Sequence, residues 1–302
     1  MRAILFGASK AGENYVSNHP DIEVVAFTDN DSAKHGTRFM GYPIIAPADI
    51  NTHDVDSIII TSQWVDQIYS QPTQEMGIDK SNIIVPSKQS VKAALPFEDN
   101  ETLAFAQSVM RTLNRYFVSH NISACLDSGT LLGAVRNKGL IPWDDDIDLA
   151  VDKDNYERLQ ASLPELYKLL NTNYDVKWNI VIITVNNIDC CINLEFSNSS
   201  HTQLVPFDIS IQRRESINGL SELLSSGGLF FAPATHFDSY EPIEFLGETF
   251  LAPFDAEGFL TFMYGHWQTP KKTTQITEYE NRRASMSAPR TGISVQKRTF
   301  CE

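Results

Sequence analysis

Long apolar runs are missing from this 302-residue sequence. Stretches such as Ile180–Ile183 fall far short of the ~20 residues a membrane helix needs, so no transmembrane segment is expected. The beginning, Met1-Arg2 followed by Ala3–Phe6, lacks the extended apolar core and small-residue cleavage site of a signal peptide. Cysteine is scarce too. Cys125, Cys190, Cys191 and Cys301 form no CxxC pair, and adjacent Cys190 and Cys191 would face opposite sides of a strand. This argues against a disulfide framework or a zinc site and points to reduced thiols in a cytoplasmic protein. Basic charge is also short: 24 Lys and Arg stand against 38 Asp and Glu, for a net charge of −14. A sequence-independent nucleic-acid binder needs a basic face, so no nucleic-acid partner is expected.

What is present is globular. Hydrophobic residues make up 42% of the chain and aromatics 10%, enough for sizeable cores. At about twice the ~150 residues of a common domain, the length predicts two domains. In the first, Ala3–Phe6, Glu23–Thr28, Ser57–Thr61 and Asn82–Val85 read as buried strands. Crossover-length segments separate them, which predicts a Rossmann-like parallel sheet with flanking helices over residues 1–88. Periodicity is lost between Ser87 and Asn100, around Pro96, Glu98 and Asp99, and the boundary is placed there. The second domain, 98–302, is predicted to be α+β with a mixed sheet. It opens with a helix whose apolar face carries Leu103, Ala106, Val109, Met110, Leu113, Tyr116 and Phe117, with Asn100 as its expected N-cap. Another helix is expected after Asp152, restarting near Pro164 with Ser162 and Glu165 as a capping box. Val176–Val185, Ile188–Phe196 and Leu204–Ile211 read as strands. The last hundred residues carry no clear pattern.

Two segments carry candidate chemistry. After the first strand comes Gly7-Ala8-Ser9-Lys10-Ala11-Gly12, with Asp29 closing the second strand. A dinucleotide turn needs GxGxxG with an acidic residue about 20 positions on. Gly7 and Gly12 fit and Asp29 takes the ribose-binding place, but Ser9 replaces the middle glycine. Hydride transfer with NAD is therefore not expected; the turn is left either as a nucleotide or sugar-nucleotide site or as bare scaffold.

The second segment runs from Leu126 to Val151. In a strand Asp146–Val151, Ile147, Leu149 and Val151 enter the core, while Asp146 and Asp148 share the other face, about 7 Å apart by the ~3.3 Å rise per residue. Such carboxylates repel unless a cation lies between them or one keeps its proton, and oxygen ligands favour Mg²⁺ or Mn²⁺. Asp144 continues the parity. Phe207-Asp208-Ile209-Ser210-Ile211 alternates likewise, so Asp208 completes a three-carboxylate cage if its strand pairs beside the first.

The string Asp127-Ser-Gly-Thr-Leu-Leu-Gly-Ala-Val-Arg136, continuing to Ile141-Pro-Trp-Asp-Asp-Asp-Ile-Asp148, resembles the LicD family of the nucleotidyltransferase superfamily, which includes fukutin-type enzymes. Phe245-Leu246-Gly247, Ala252-Pro253-Phe254, Tyr264-Gly265-His266-Trp267 and Pro270 resemble the family's closing pattern, so the resemblance spans roughly residues 101 to 270. It implies transfer of a phosphoalcohol, such as phosphocholine or a polyol phosphate, from a CDP-linked donor to a glycan or surface-polysaccharide precursor. By that resemblance Asp146, Asp148 and Asp208 hold Mg²⁺, and Asp208 accepts the acceptor hydroxyl's proton. Ser128, Gly129 and Thr130 grip donor phosphate, and Arg136 contacts phosphate or forms a surface ion pair. Asp127 orients the turn or meets donor or acceptor, and Asp144 joins the donor-binding group as a further ligand or as a residue behind the ligands. Trp143 anchors the acidic loop or stacks on a base or sugar. The alternatives are a nucleotidyltransferase releasing pyrophosphate and a non-catalytic sugar-nucleotide-binding protein. Oligomerisation is left open.

Overall fold

The computed structural model describes residues 1–62, 64–92, 95–272, 275–279, 281 and 295–300, and these form two compact units. Cys301 lies outside the described residues.

The first unit comprises residues up to 92 together with Lys271–Tyr279. Its elements are β1 (Arg2–Phe6), α1 (Lys10–Asn18), β2 (Glu23–Thr28), β3 (Arg38–Phe39), β4 (Tyr42–Ile45), β5 (Ser57–Ile60), α2 (Val65–Ser70) and β6 (Ile83–Ile84). The sheet order is β3-β4-β2-β1-β5-β6. All neighbours run parallel except β3 and β4, a short antiparallel pair that the sequence reading missed. Alternate side chains of β1 enter two cores: Ile4 and Phe6 pack with Val65 and Ile68 of α2, whereas Ala3 and Leu5 pack with Tyr15 of α1. A parallel sheet covered on both faces is the Rossmann-like arrangement expected. Gln275 donates to the carbonyl of Val85 at 3.1 Å, so part of the sequence assigned to the second domain belongs to this unit.

The second unit contains α3 (Asn100–Ser119), β7 (Cys125–Leu126), α4 (Ser128–Leu132), β8 (Asp146–Val151), α5 (Lys153–Ala161), α6 (Leu163–Asn173), β9 (Val176–Val185), β10 (Ile188–Asn198), β11 (Asp208–Ile217), β12 (Leu220–Leu223), β13 (Phe231–Pro233), β14 (Tyr240–Phe245), β15 (Glu248–Pro253), α7 (Ala256–Tyr264) and β16 (Val295–Thr299). The main sheet runs β14-β15-β7-β8-β11-β10-β9-β16. Pairs β8/β11 and β7/β15 are parallel and the remaining neighbours antiparallel, giving the mixed sheet expected. The predicted apolar face of α3 is buried, from Ala106 to Phe117, with Leu103 packed at its margin. Each large side chain so buried contributes about 1.5–3 kcal/mol. Among the described residues no helix is long and apolar enough to cross a membrane.

Three local expectations are corrected. The N-cap of α3 is Asp99, not Asn100: its carboxylate accepts from the Thr102 N–H at 2.8 Å and from the Thr102 hydroxyl. An ionised oxygen outcompetes the neighbouring amide at a helix start. Ser162 precedes α6 but builds no capping box. Its hydroxyl donates back to the Leu159 carbonyl at 3.1 Å, and Glu165 pairs instead with His120. Leu204–Phe207 leads into β11 rather than forming part of it.

Candidate active site

Strand β8 carries the predicted alternation. Ile147, Leu149 and Val151 are at most 2% exposed, while Asp146 and Asp148 are half-buried on the opposite face. The parallel register with β11 sets Asp208 directly beside Asp146, and Ser210 beside Asp148. On the far side of β11, Glu195 of β10 lies opposite Asp208. One sheet face therefore gathers Asp146, Asp148, Asp208 and Glu195. Burial, and next the negative charges of Glu195 and Asp145, push the Asp208 carboxyl up to about 6.

The carboxylates of Asp144, Asp145 and Asp146 approach within 4.8 Å of one another. Asp145 was not singled out from the sequence, because strand parity turns it away. The strand begins only at Asp146, and the irregular chain before it lets consecutive side chains converge. Clustered carboxylate oxygens are hard donors, the ligand type that cations such as Mg²⁺ and Mn²⁺ take. Gly129 makes room for it: a Cβ there would overlap the Asp144 carboxylate.

Asp127 is the residue from which the turn is built. It is fully buried, caps α4 by accepting from the Ser128 N–H at 2.7 Å, and pairs with Arg214 at 2.8 Å. A carboxylate closed off in this way orients the turn. Arg214 in turn lies 4.2 Å from the centre of the Phe237 ring. Ser128 takes a left-handed φ of 48° at the start of α4 and stays half-buried beside Gly129. Thr130 is buried, and its hydroxyl accepts from the Asp148 N–H at 2.9 Å, so it ties the turn to β8. Among the described residues Arg136 meets backbone, amide and ring partners rather than a carboxylate. It donates to the Trp267 carbonyl at 3.1 Å and to Asn137 at 2.7 Å, and lies 5.8 Å from the Trp143 ring centre. Burial lowers its pKa. It therefore fastens the Tyr264–Trp267 segment to the helical turn after α4. His266 is exposed.

In the first unit, Gly7 donates to the Thr28 carbonyl at 2.8 Å, and exposed Ser9 precedes α1 without a side-chain capping bond. Gly12 packs so tightly that a Cβ would lie 2.6 Å from the Gly7 carbonyl oxygen. Asp29 accepts from the Asp31 N–H of its own turn and from the Ala8 N–H of the glycine turn, and pairs with Lys34 at 2.8 Å. The place the sequence assigned to a ribose-binding acid thus holds a carboxylate compensated from within.

Comparison with known proteins matches residues 121–255 to the family described as "LicD/FKTN/FKRP, nucleotidyltransferase domain" and residues 1–84 to "C2185-like, N-terminal". The chain is similar to lipopolysaccharide cholinephosphotransferase LicD of Haemophilus influenzae, 46% identical over 61 residues, covering 19% of this chain and 23% of that protein. It is also similar to the uncharacterized protein RP689 of Rickettsia prowazekii, 38% identical over 73 residues, covering 24% of this chain and 27% of that one. The chain spans about a quarter of the length of these relatives. Among solved structures, UDP-D-quinovosamine 4-dehydrogenase from Vibrio fischeri is 20% identical with a TM-score of 0.23, covering 26% of this chain and 73% of that one.

Proposed function

Residues 121–255 belong to the LicD/FKTN/FKRP family of nucleotidyltransferase domains, and from that premise we propose that the chain is a phosphotransferase moving a phosphoalcohol from a CDP-linked donor to a saccharide of a surface polysaccharide. The printed activity of the Haemophilus relative makes phosphocholine the first donor group to test. The observation carrying the reading is the register of β8 against β11, which sets Asp208 beside Asp146 on the face that also bears Asp148. In this reading Asp146, Asp148 and Asp208 hold a divalent cation, with Asp144 and Asp145 at its margin. Bound there, Mg²⁺ supplies charge neutralisation for the donor diphosphate and opposes the upward shift of Asp208.

The residues' own work is positioning and proton handling. Gly129 and half-buried Ser128 leave the turn accessible to donor phosphate, while Thr130 and the Asp127–Arg214 pair fix the turn against β8. The acceptor hydroxyl oxygen forms a bond to the phosphorus bearing the alcohol, the bond from that phosphorus to the CMP oxygen breaks, and CMP leaves. The hydroxyl proton passes to a carboxylate of the site, for which Asp208 is placed.

The test is mass spectrometry of products from purified protein, Mg²⁺, an oligosaccharide acceptor and a panel of CDP-alcohols. CMP with a phosphoalcohol-bearing acceptor is the expected outcome. Release of pyrophosphate from CTP instead would convert the reading to nucleotidyl transfer.

A further inference from the structure

Two of the three carboxylates assigned to the cation are each held by a neutral carboxamide. Gln212 of β11 donates through Nε2 to Asp148 Oδ1 at 2.9 Å, and Ser225, in the turn after β12, donates its hydroxyl to Gln212 Oε1. Asn193 of β10 donates through Nδ2 to Asp208 Oδ2 at 3.3 Å, and Ser210 donates its hydroxyl to Asn193 Oδ1 at 2.9 Å. Asn193 is only 9% exposed, and the Cys191 thiol also donates to its Oδ1. An amide oxygen accepts only, and so does an ionised carboxylate. The carboxylate therefore fixes which way each amide points, because a flip would set amide oxygen against carboxylate oxygen, and the serine hydroxyl, able to donate or accept, then donates to the amide oxygen behind it. The two relays cross the sheet in step: β11 supplies the amide for β8, and β10 supplies the amide for β11.

We propose that Gln212 and Asn193, braced by Ser225 and Ser210, are positioning residues that aim the Asp148 and Asp208 carboxylates at a divalent cation. This rests on the metal reading above. Arg214, two residues beyond Gln212 on the same strand, supplies the contrast: it pairs with Asp127 and neutralises it. An amide restricts the carboxylate's rotation and satisfies one lone pair while adding no charge. Hydrogen-bonding partners behind metal ligands typically change affinity by about 10–100-fold.

The experiment titrates Mn²⁺ into the full chain by calorimetry and follows thermal unfolding in EDTA beside it. Gln212→Met and Asn193→Leu should each weaken Mn²⁺ binding about 10–100-fold, with the EDTA unfolding temperature close to wild type. Ser225→Ala should weaken it less, and Gln212→Lys, which keeps a donor but adds a charge, should weaken it most. If Asn193→Leu fails to fold, Ser210→Ala tests the same relay. Folded Gln212→Met and Ser225→Ala proteins that bind Mn²⁺ within twofold of wild type would overturn the inference alone. A wild-type chain that takes no Mn²⁺ overturns the metal reading, and the inference with it.

Discussion

The N-terminal turn and the acidic sheet face treat their carboxylates in opposite ways. At the turn, Asp29 meets Lys34, the Asp31 N–H of its own loop and the Ala8 N–H of the glycine turn. On the sheet face, Asp148 and Asp208 meet neutral amides, and burial, followed by the neighbouring acids Glu195 and Asp145, pushes the proton affinity of Asp208 up. The buried Asp127 sides with Asp29, since Arg214 compensates it. An acid paired with a cation inside its own unit holds the fold, whereas an acid such as Asp208, buried beside other acids, is one that a bound cation would stabilise.

The comparison breaks most visibly if the sheet acids turn out to be structural. Asp146→Asn or Asp148→Asn is expected to lower transfer activity on the order of 10³-fold, the several kcal/mol a metal site supplies. The circular dichroism spectrum should stay unchanged. Near-normal turnover in either variant would remove the site assignment.

Next in size is the compensated pair. Arg214→Met strands the buried Asp127 carboxylate and should cost about 3–5 kcal/mol in denaturant unfolding. Asp127→Leu combined with Arg214→Met should recover most of that loss, because neither charge is then left alone. If the single variant unfolds like wild type, Asp127 is not held by the pair.

A smaller effect of opposite sign is expected at Asp208. Its folded-state value of about 6 exceeds the ordinary 3.8, so its stabilising contribution is complete below 3.8 and is lost as pH rises through 6. Without metal, Asp208→Asn should therefore melt above wild type at pH 7.5, and that advantage should vanish near pH 4. Melting in EDTA at the two pH values checks this; a variant less stable at pH 7.5 contradicts it. Added Mg²⁺ should raise the wild-type melting temperature more than the variant's.

The smallest effect belongs to the first unit. Lys34 is 39% exposed, and Lys34→Ala should cost under about 1 kcal/mol with no change in Mn²⁺ binding. A loss of Mn²⁺ binding here would blur the distinction between the two regions.

The legible parts of this molecule were those with a short period. Ile147, Leu149 and Val151 alternate with Asp146 and Asp148, and that pattern survives folding because one face of β8 is buried. The adjacency of Asp208 to Asp146 is a matter of strand order, which no local pattern encodes; the sequence supplied only the condition under which they would meet. Asp145 was missed because the parity argument carried the strand too far back. Gln212 and Asn193 left no signal, since an amide in a strand resembles any other polar residue until its partner is known. Asp127 and Arg214 are separated by 87 positions, and only the sheet brings them together.

Strand β16 has a consequence for how the protein behaves in a crowded solution. It lies along β9, whose Val181, Ile182 and Ile183 would otherwise sit on an open sheet margin. The strand that takes that margin is exposed and carries Lys297 and Arg298, and the opposite margin, β14, carries Pro242 between Glu241 and Glu244. Charged side chains and a missing N–H both discourage another copy from adding its own strand. A version of the chain shortened before Val295 would trade this blunt border for a sticky one, and its tendency to clump would rise even if every catalytic side chain stayed in place.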